Sequence, residues 1–231
     1  MGVCDKPVWT ASKKGSYVSS EAWEALREKR DEVIWWKMVW FPLAIPKHAF
    51  IMWLAMKYRL LTGERLLKMG YKGEVQCSFC HSYVETRDHL FFECSFSSRI
   101  WKFCMLRCIV EQPPTIWDDI LQLGCKSWGK KSLLCHLVFG SVVYNIWHTR
   151  NEIRHAGSLS TGEQILKKVM WKVHTRLAGR SNFPRTRENI FLSSLWNLPN
   201  EMLENEHLNN IGKYRAVKEV PLSFRETDSN E

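Results

Sequence analysis

Four residues with metal-ligand spacing govern how this chain can fold: Cys77, two residues, Cys80, eight residues, His89, four residues, Cys94. Structural zinc sites take four tetrahedral nitrogen or sulfur ligands, and a Cys-x2-Cys turn brings two thiolates to one metal from a tight loop. The second pair suits a helix and its exit. The pattern from Glu85 predicts a helix through Glu93, with His89 on it and Cys94 just past its end. Four protein ligands leave no open coordination position, so the set predicts a structural zinc rather than a catalytic one. Leu90, Phe91 and Phe92 supply an apolar cover between the ligands, and Asp88 or Glu85 is placed to orient the imidazole. Cys-x2-Cys alone also suits a redox site; the His-x4-Cys that follows makes four unrelated side chains a minor alternative. His81 is a rival ligand whose adjacency to Cys80 strains the chelate. Cys104 and Cys108 lie one turn apart beside Trp101 and Leu106 and read as core or surface thiols, and Cys4, Cys125 and Cys135 as isolated ones.

Around this knot the periodicity is helical. Ser19-Ser20-Glu21 starts a helix to about Asp31, with Ala22, Trp23 and Leu26 on its apolar side. Pro46 opens a second, with Ala49, Phe50, Met52, Trp53, Leu54, Met56 and Leu61 on a broad buried face. Thr62 caps a short helix, Glu64 to Met69, stopped by Gly70. Ser97 to Val110 follows the ligands, and Pro113-Pro114 marks a boundary. Beyond it come Thr115 to Leu123, Ser132 to His155 and Thr161 to Gly179. The expected fold is mainly α: a small irregular helical domain around one Cys3His zinc knot (5–110), a C-terminal helical region (115–198), and a disordered acidic tail (199–231).

Eight cysteines in a chain that starts without an apolar leader suit a reducing, intracellular setting, where thiols or metal ligands are expected rather than disulfides. The longest apolar run, Leu133 to Trp147, is broken by His136 and Asn145 and is short for a bilayer span, so a soluble protein with no membrane partner is expected, nuclear or cytoplasmic. The net charge of +9 favours an anionic partner. That excess is local: residues 161–198 hold 7 Lys/Arg against 2 Asp/Glu, whereas 199–231 hold 4 against 7. Lys168, Lys172, Arg176 and Arg180 step along one helix at i+4, and Lys72, Arg87, Arg99 and Lys102 surround the ligands. All eight are candidate phosphate contacts, each competing with the plainer reading of a solvated or snorkelling side chain.

Three landmark runs precede the ligands in order: Trp40-Phe-Pro-Leu-Ala-Ile-Pro46-Lys47, Phe50-Ile-Met-Trp53-Leu54-Ala55 and Arg59-Leu-Leu-Thr62-Gly-Glu-Arg65-Leu66. With Cys77-Ser-Phe-Cys80, His89-Leu90-Phe91-Phe92-Glu-Cys94 and Ile100-Trp101, this pattern resembles the zinc-binding domain of plant non-LTR (LINE-type) retrotransposon reverse transcriptases. The resemblance covers about Asp5 to Met105. It implies zinc at Cys77, Cys80, His89 and Cys94, and contact with RNA or DNA. The polymerase that precedes such a module in the family is not in this sequence. Trp117-Asp118-Asp119 does not replace it, because a reverse transcriptase needs Tyr or Phe two places before its paired aspartates, and Ile116 stands immediately before Trp117.

The expectation is therefore a non-catalytic zinc module that binds nucleic acid electrostatically, with low sequence specificity. The alternative is a structural or protein-interaction module, whose tryptophan-rich face at Trp35, Trp36 and Trp40 packs on a reverse transcriptase domain in trans. No nucleophile–base pair, phosphate loop or open metal site argues for an enzyme.

Overall fold

The computed structural model describes residues 8–10, 12, 15–28, 33–126, 132–157, 160–178, 185–199 and 203. Arg180, Cys4, the Cys125 side chain and nearly all of the acidic tail lie outside the described residues. The chain divides into two compact units, Met1–Val33 and Ile34–Glu231. In the first, α1 (Ser19–Leu26) carries Glu21 in its first turn, where an acid meets the helix dipole favourably. It stops short of the expected Asp31. Trp9 packs edge-on against Tyr17, with ring centres 5.3 Å apart.

The second unit is helical, and no strand occurs among the described residues. In order come α2 (Trp36–Val39), α3 (Pro46–Met56), α4 (Gly63–Lys68), a π-helical turn (His89–Glu93), α5 (Ser95–Leu106), α6 (Trp117–Lys126), α7 (Ser132–Ala156), α8 (Gly162–Leu177) and α9 (Arg187–Leu195). Pro46 occupies the first turn of α3, where its missing N–H costs nothing. Thr161 and Gln164 form a reciprocal capping box that opens α8. The sequence pattern overlooked α9, whose first turn is held by the Thr186 hydroxyl accepting from the Asn189 N–H.

Helix α7 is the axis of the unit, packed against α3, α5 and α8. Leu133, Leu137, Gly140, Tyr144 and Trp147 suggest a single stripe. In the structure Leu134, Cys135, Val138, Phe139, Val142, Val143 and Ile146 are buried as well, so this stretch is enclosed nearly all round. No described helix is long and apolar enough to cross a membrane. Helices before and after Pro113-Pro114 contribute to one buried cluster.

The centre of that cluster is aromatic: Phe92, Trp101, Trp117 and Phe139 meet with ring centres 5.0 to 6.3 Å apart. Each fully buried indole finds a partner for its N–H. Trp101 donates to the Pro114 carbonyl at 2.9 Å, Trp117 to Met56 Sδ at 3.0 Å and Trp196 to the Arg107 carbonyl at 2.9 Å. The Pro-Pro break thus supplies the carbonyl that Trp101 needs.

Candidate metal centre

Local hydrogen bonds shape the ligand loop before any side chain is considered. Gln76 and Val84 form an antiparallel bridge, the Cys77 N–H donates to the Tyr83 carbonyl at 2.8 Å, and the His81 N–H returns to the Cys77 carbonyl at 2.9 Å. This closes a knuckle around Cys77-Ser-Phe-Cys80. The second pair rides on the π turn. The Thr86 hydroxyl accepts from the His89 N–H at 3.0 Å, and the Cys94 N–H reaches back five residues to the His89 carbonyl at 2.8 Å. That wider turn places His89 and Cys94 on one side of the loop, and π turns recur at functional sites.

The four donor atoms, three sulfurs and one imidazole nitrogen, lie within 4.8 Å of one another. Cys77 Sγ and Cys94 Sγ are 3.8 Å apart, and Cys80 Sγ is 3.3 Å from His89 Nε2. A tetrahedral zinc with bonds of about 2.3 Å to sulfur has sulfur–sulfur edges of about 3.8 Å, so the thiol pair already has the spacing the ion requires. Cys77 and Cys94 are fully buried and His89 nearly so.

Electrostatics point the same way. The Cys77 thiol donates to Cys94 Sγ, and this shared proton pushes the Cys77 thiol up while drawing Cys94 down. Backbone N–H groups of Phe96 and Ser97, in the first turn of α5, also favour the Cys94 thiolate. Two buried sulfurs in contact resist ionising together; a cation between them removes that conflict. The four donors fit zinc: Cys77, Cys80, His89 and Cys94 would hold it, and four protein ligands would leave it no open position.

Two parts of the sequence reading need correcting. Asp88 and Glu85 do not serve His89. Asp88 Oδ1 accepts the backbone N–H of Trp117 at 3.1 Å, satisfying an orphan donor at the start of α6. Glu85, wholly buried, accepts from Arg150 of α7, Nη2 to Oε1 at 2.6 Å and Nε to Oε1 at 3.0 Å. Arg150 also donates to the Leu61 carbonyl at 2.8 Å, so one guanidinium ties the ligand loop to the central helix. Sequence reasoning gave Arg150 no role, since it stands in the polar last turns of α7 with Glu152 and Arg154 and its acid partner is 65 residues away. Second, Leu90, Phe91 and Phe92 do more than cover the ligands: all three are fully buried in the main aromatic core. Phe79 stacks on Phe96 at 4.7 Å and joins the two halves of the knuckle.

Other expected residues separate clearly. His81 is exposed, at a φ of 54°, and lies 3.8 Å from Glu74. Cys104, Cys108 and Cys135 are buried, and burial pushes the Cys104 thiol up to about 12. Asp118 and Asp119 are exposed on the first turn of α6. Among the basic candidates, Lys72, Arg99, Lys102 and Lys168 are exposed. Arg87 is buried: its guanidinium lies 3.9 Å from the Tyr58 ring centre and 4.7 Å from that of Trp117. Arg176 is half-buried and donates to the Leu43 and Ala44 carbonyls at 2.9 and 3.1 Å, so it holds α8 to the α2–α3 loop. Lys172 lies 4.2 Å over the Trp171 ring centre.

The chain is 38% identical over 86 residues to the phosphate transporter PHO1-2 of Oryza sativa subsp. japonica, covering 37% of this chain and 10% of that protein. It is 64% identical over 49 residues to the phosphate transporter PHO1 homolog 1 of Arabidopsis thaliana, covering 18% of this chain and 6% of that protein. The chain therefore spans a tenth or less of these relatives' length. No solved structure matches it. Residues 17–101, which hold all four candidate ligands, match the family described as zinc-binding in reverse transcriptase, and with the site's geometry this supports a zinc-binding module in this part of the chain.

Proposed function

We propose that this chain is a non-catalytic, zinc-stabilised module that binds RNA or DNA through charge, and that it derives from the region following the polymerase of a plant non-LTR retrotransposon. The observation that carries the nucleic-acid reading is a cluster of uncompensated cations. Lys172 of α8 and Lys47 of α3 are close enough that Lys47 lowers the Lys172 pKa, after the effect of burial. Among the described residues no carboxylate pairs with either. Lys168 stands one turn before Lys172, Lys47 lies 5.0 Å over the Tyr144 ring, and exposed Trp171 offers a face on which a base can stack. Phosphates are the counter-charge such a surface lacks. Lys72, Arg99 and Lys102 extend the candidate footprint, while the contacts of Arg176 with the Leu43 and Ala44 carbonyls reduce its part in it. The phosphate transport named for the relatives is not carried over, because the chain spans so little of them.

The test is a titration of single-stranded RNA and DNA on zinc-loaded protein at several salt concentrations. Affinity should fall steeply with salt, with a slope of about 0.7 per phosphate contacted, and Lys168→Glu with Lys172→Glu should weaken it. Absence of binding at low salt would sink the reading.

A second reading rests on exposed aromatics. Trp40 and Phe50 are each about half exposed, which suits a protein partner such as a polymerase domain in trans. Concentration-dependent self-association lost on Trp40→Ser would favour it.

A further inference from the structure

The loop after α3 and the residue two before His89 enclose a cavity that the zinc and the α8 surface leave unexplained. Its volume is about 100 Å³, several times the ~15 Å³ that one water needs. Tyr58, Thr62, Glu64, Arg65, Lys68 and Arg87 line it. Three of these are cations and one is an acid. From this we infer that the cavity binds a phosphate group, seated between the Arg65 and Arg87 guanidiniums with the Lys68 ammonium at its rim.

Arg87 is built into the wall. Its guanidinium is flanked by the Tyr58 and Trp117 rings, and its Nη atoms donate to the Ala55 carbonyl at 3.3 Å and the Tyr58 hydroxyl at 2.9 Å. Nε, also buried, has no hydrogen-bond partner. The nearest carboxylates, Asp88 and Asp118, stand 3.7 and 3.9 Å from the guanidinium, beyond hydrogen-bond reach, and neither lines the cavity. These carboxylates give the guanidinium counter-charge at ion-pair distance, but Nε still lacks a hydrogen bond; a buried donor left so is costly, and an oxyanion within reach relieves it. Arg65 arrives by a strained backbone: Tyr58 has a φ of 52°, rare for an aromatic residue, and its carbonyl accepts Arg65 Nη1 at 2.6 Å. One residue in an unfavourable conformation thus positions both arginines, as strained residues at binding sites do. Lys68 is paired with Glu64 at 2.5 Å and is largely exposed, so it can swing to an anion. Planar forks with an ammonium beside them match a tetrahedral oxyanion.

The pocket deepens the nucleic-acid reading and rests on it for the source of the phosphate, a polynucleotide's own or the free ion, but not for phosphate itself. The experiment titrates the full, zinc-loaded chain with inorganic phosphate, followed by phosphorus NMR, and in parallel with a single-stranded oligonucleotide. Wild type should bind phosphate, the Arg65→Gln/Lys68→Gln double variant about tenfold more weakly, and Lys68→Gln alone by a smaller factor. Glu64→Gln should bind more tightly, a gain that a merely structural role would not produce. If oligonucleotide affinity falls with phosphate affinity in the double variant, the phosphate is a nucleic acid's; if it stays constant, the pocket takes the free ion. Phosphate binding without oligonucleotide binding in wild type keeps the pocket and removes the nucleic-acid reading. No phosphate binding in wild type, or binding undiminished in both lysine variants, overturns the inference.

Discussion

Cys94 shows how much one position decides. It closes the ligand set, its sulfur sits 3.8 Å from that of Cys77, and its thiolate faces the first turn of α5. Cys104, ten residues on, is a buried thiol held neutral by its apolar surroundings. Cys94→Ser should abolish stoichiometric zinc by metal analysis, whereas Cys104→Ser should retain one zinc per chain. Because structural zinc contributes on the order of 10 kcal/mol in small peptides, chelation should lower the melting temperature and expose the loop to protease. Gly63 is a second single-residue constraint. A Cβ there would lie 1.9 Å from the Val75 carbonyl oxygen, against the strand-like approach to the ligand loop. Gly63→Ala should cost about 1–3 kcal/mol in urea unfolding, or more if the loop cannot retreat. Cys77, Cys80, His89 and Cys94 were legible because ligand chemistry dictates residue type and spacing. The need for Gly63 was not, since it depends on a chain segment twelve residues away.

At the scale of elements, the ligand loop is not a free-standing knot. The π turn drives Phe91 and Phe92 into the core, and Arg150 of α7 pairs with buried Glu85. Breaking a buried pair leaves an uncompensated charge, so Arg150→Ala should cost about 3–5 kcal/mol. Glu85→Gln in an Arg150→Met background should recover part of that loss, measured by a double-mutant cycle. Recovery of nothing would mean that Glu85 is stabilised mainly by Arg154, which lies 4.0 Å away. Helices with clear punctuation, α3 with Pro46 and α8 with Thr161 and Gln164, could be placed from sequence within a few residues. α9 could not, because its stability comes from burying Leu192 and from the Trp196 indole on the Arg107 carbonyl, contacts made nearly ninety residues apart.

For the whole molecule, two buried histidines set an acid limit. Burial, then the nearby Lys47 and Lys172 charges, lowers the His48 pKa to about 3, and burial lowers that of His136 to about 4. Unfolding restores values near 6.5, so between about pH 6.5 and 4 the unfolded chain binds more protons than the folded one. Stability should therefore be complete above about pH 6.5 and fall as the pH drops through this window, at up to about 1.4 kcal/mol per unit for each histidine. Denaturant midpoints at pH 7 and 5 measure this. His48→Phe should flatten the slope; an unchanged slope would assign the acid sensitivity to His136 or to the Cys3His cluster instead.

The residues alone determined the mainly helical class, the Cys3His cluster that could hold a metal and the basic character, because each follows from local spacing, periodicity or charge count. Only the tertiary structure decided which cations are available. Arg87 and Arg176 read as surface charges in sequence, but packing turns the first into a wall of the cavity beside Tyr58 and the second into a brace between α8 and the Leu43–Ala44 carbonyls. A side chain's environment is set by the segments that fold against it, and neither Tyr58 for Arg87 nor Leu43 for Arg176 is a neighbour in sequence.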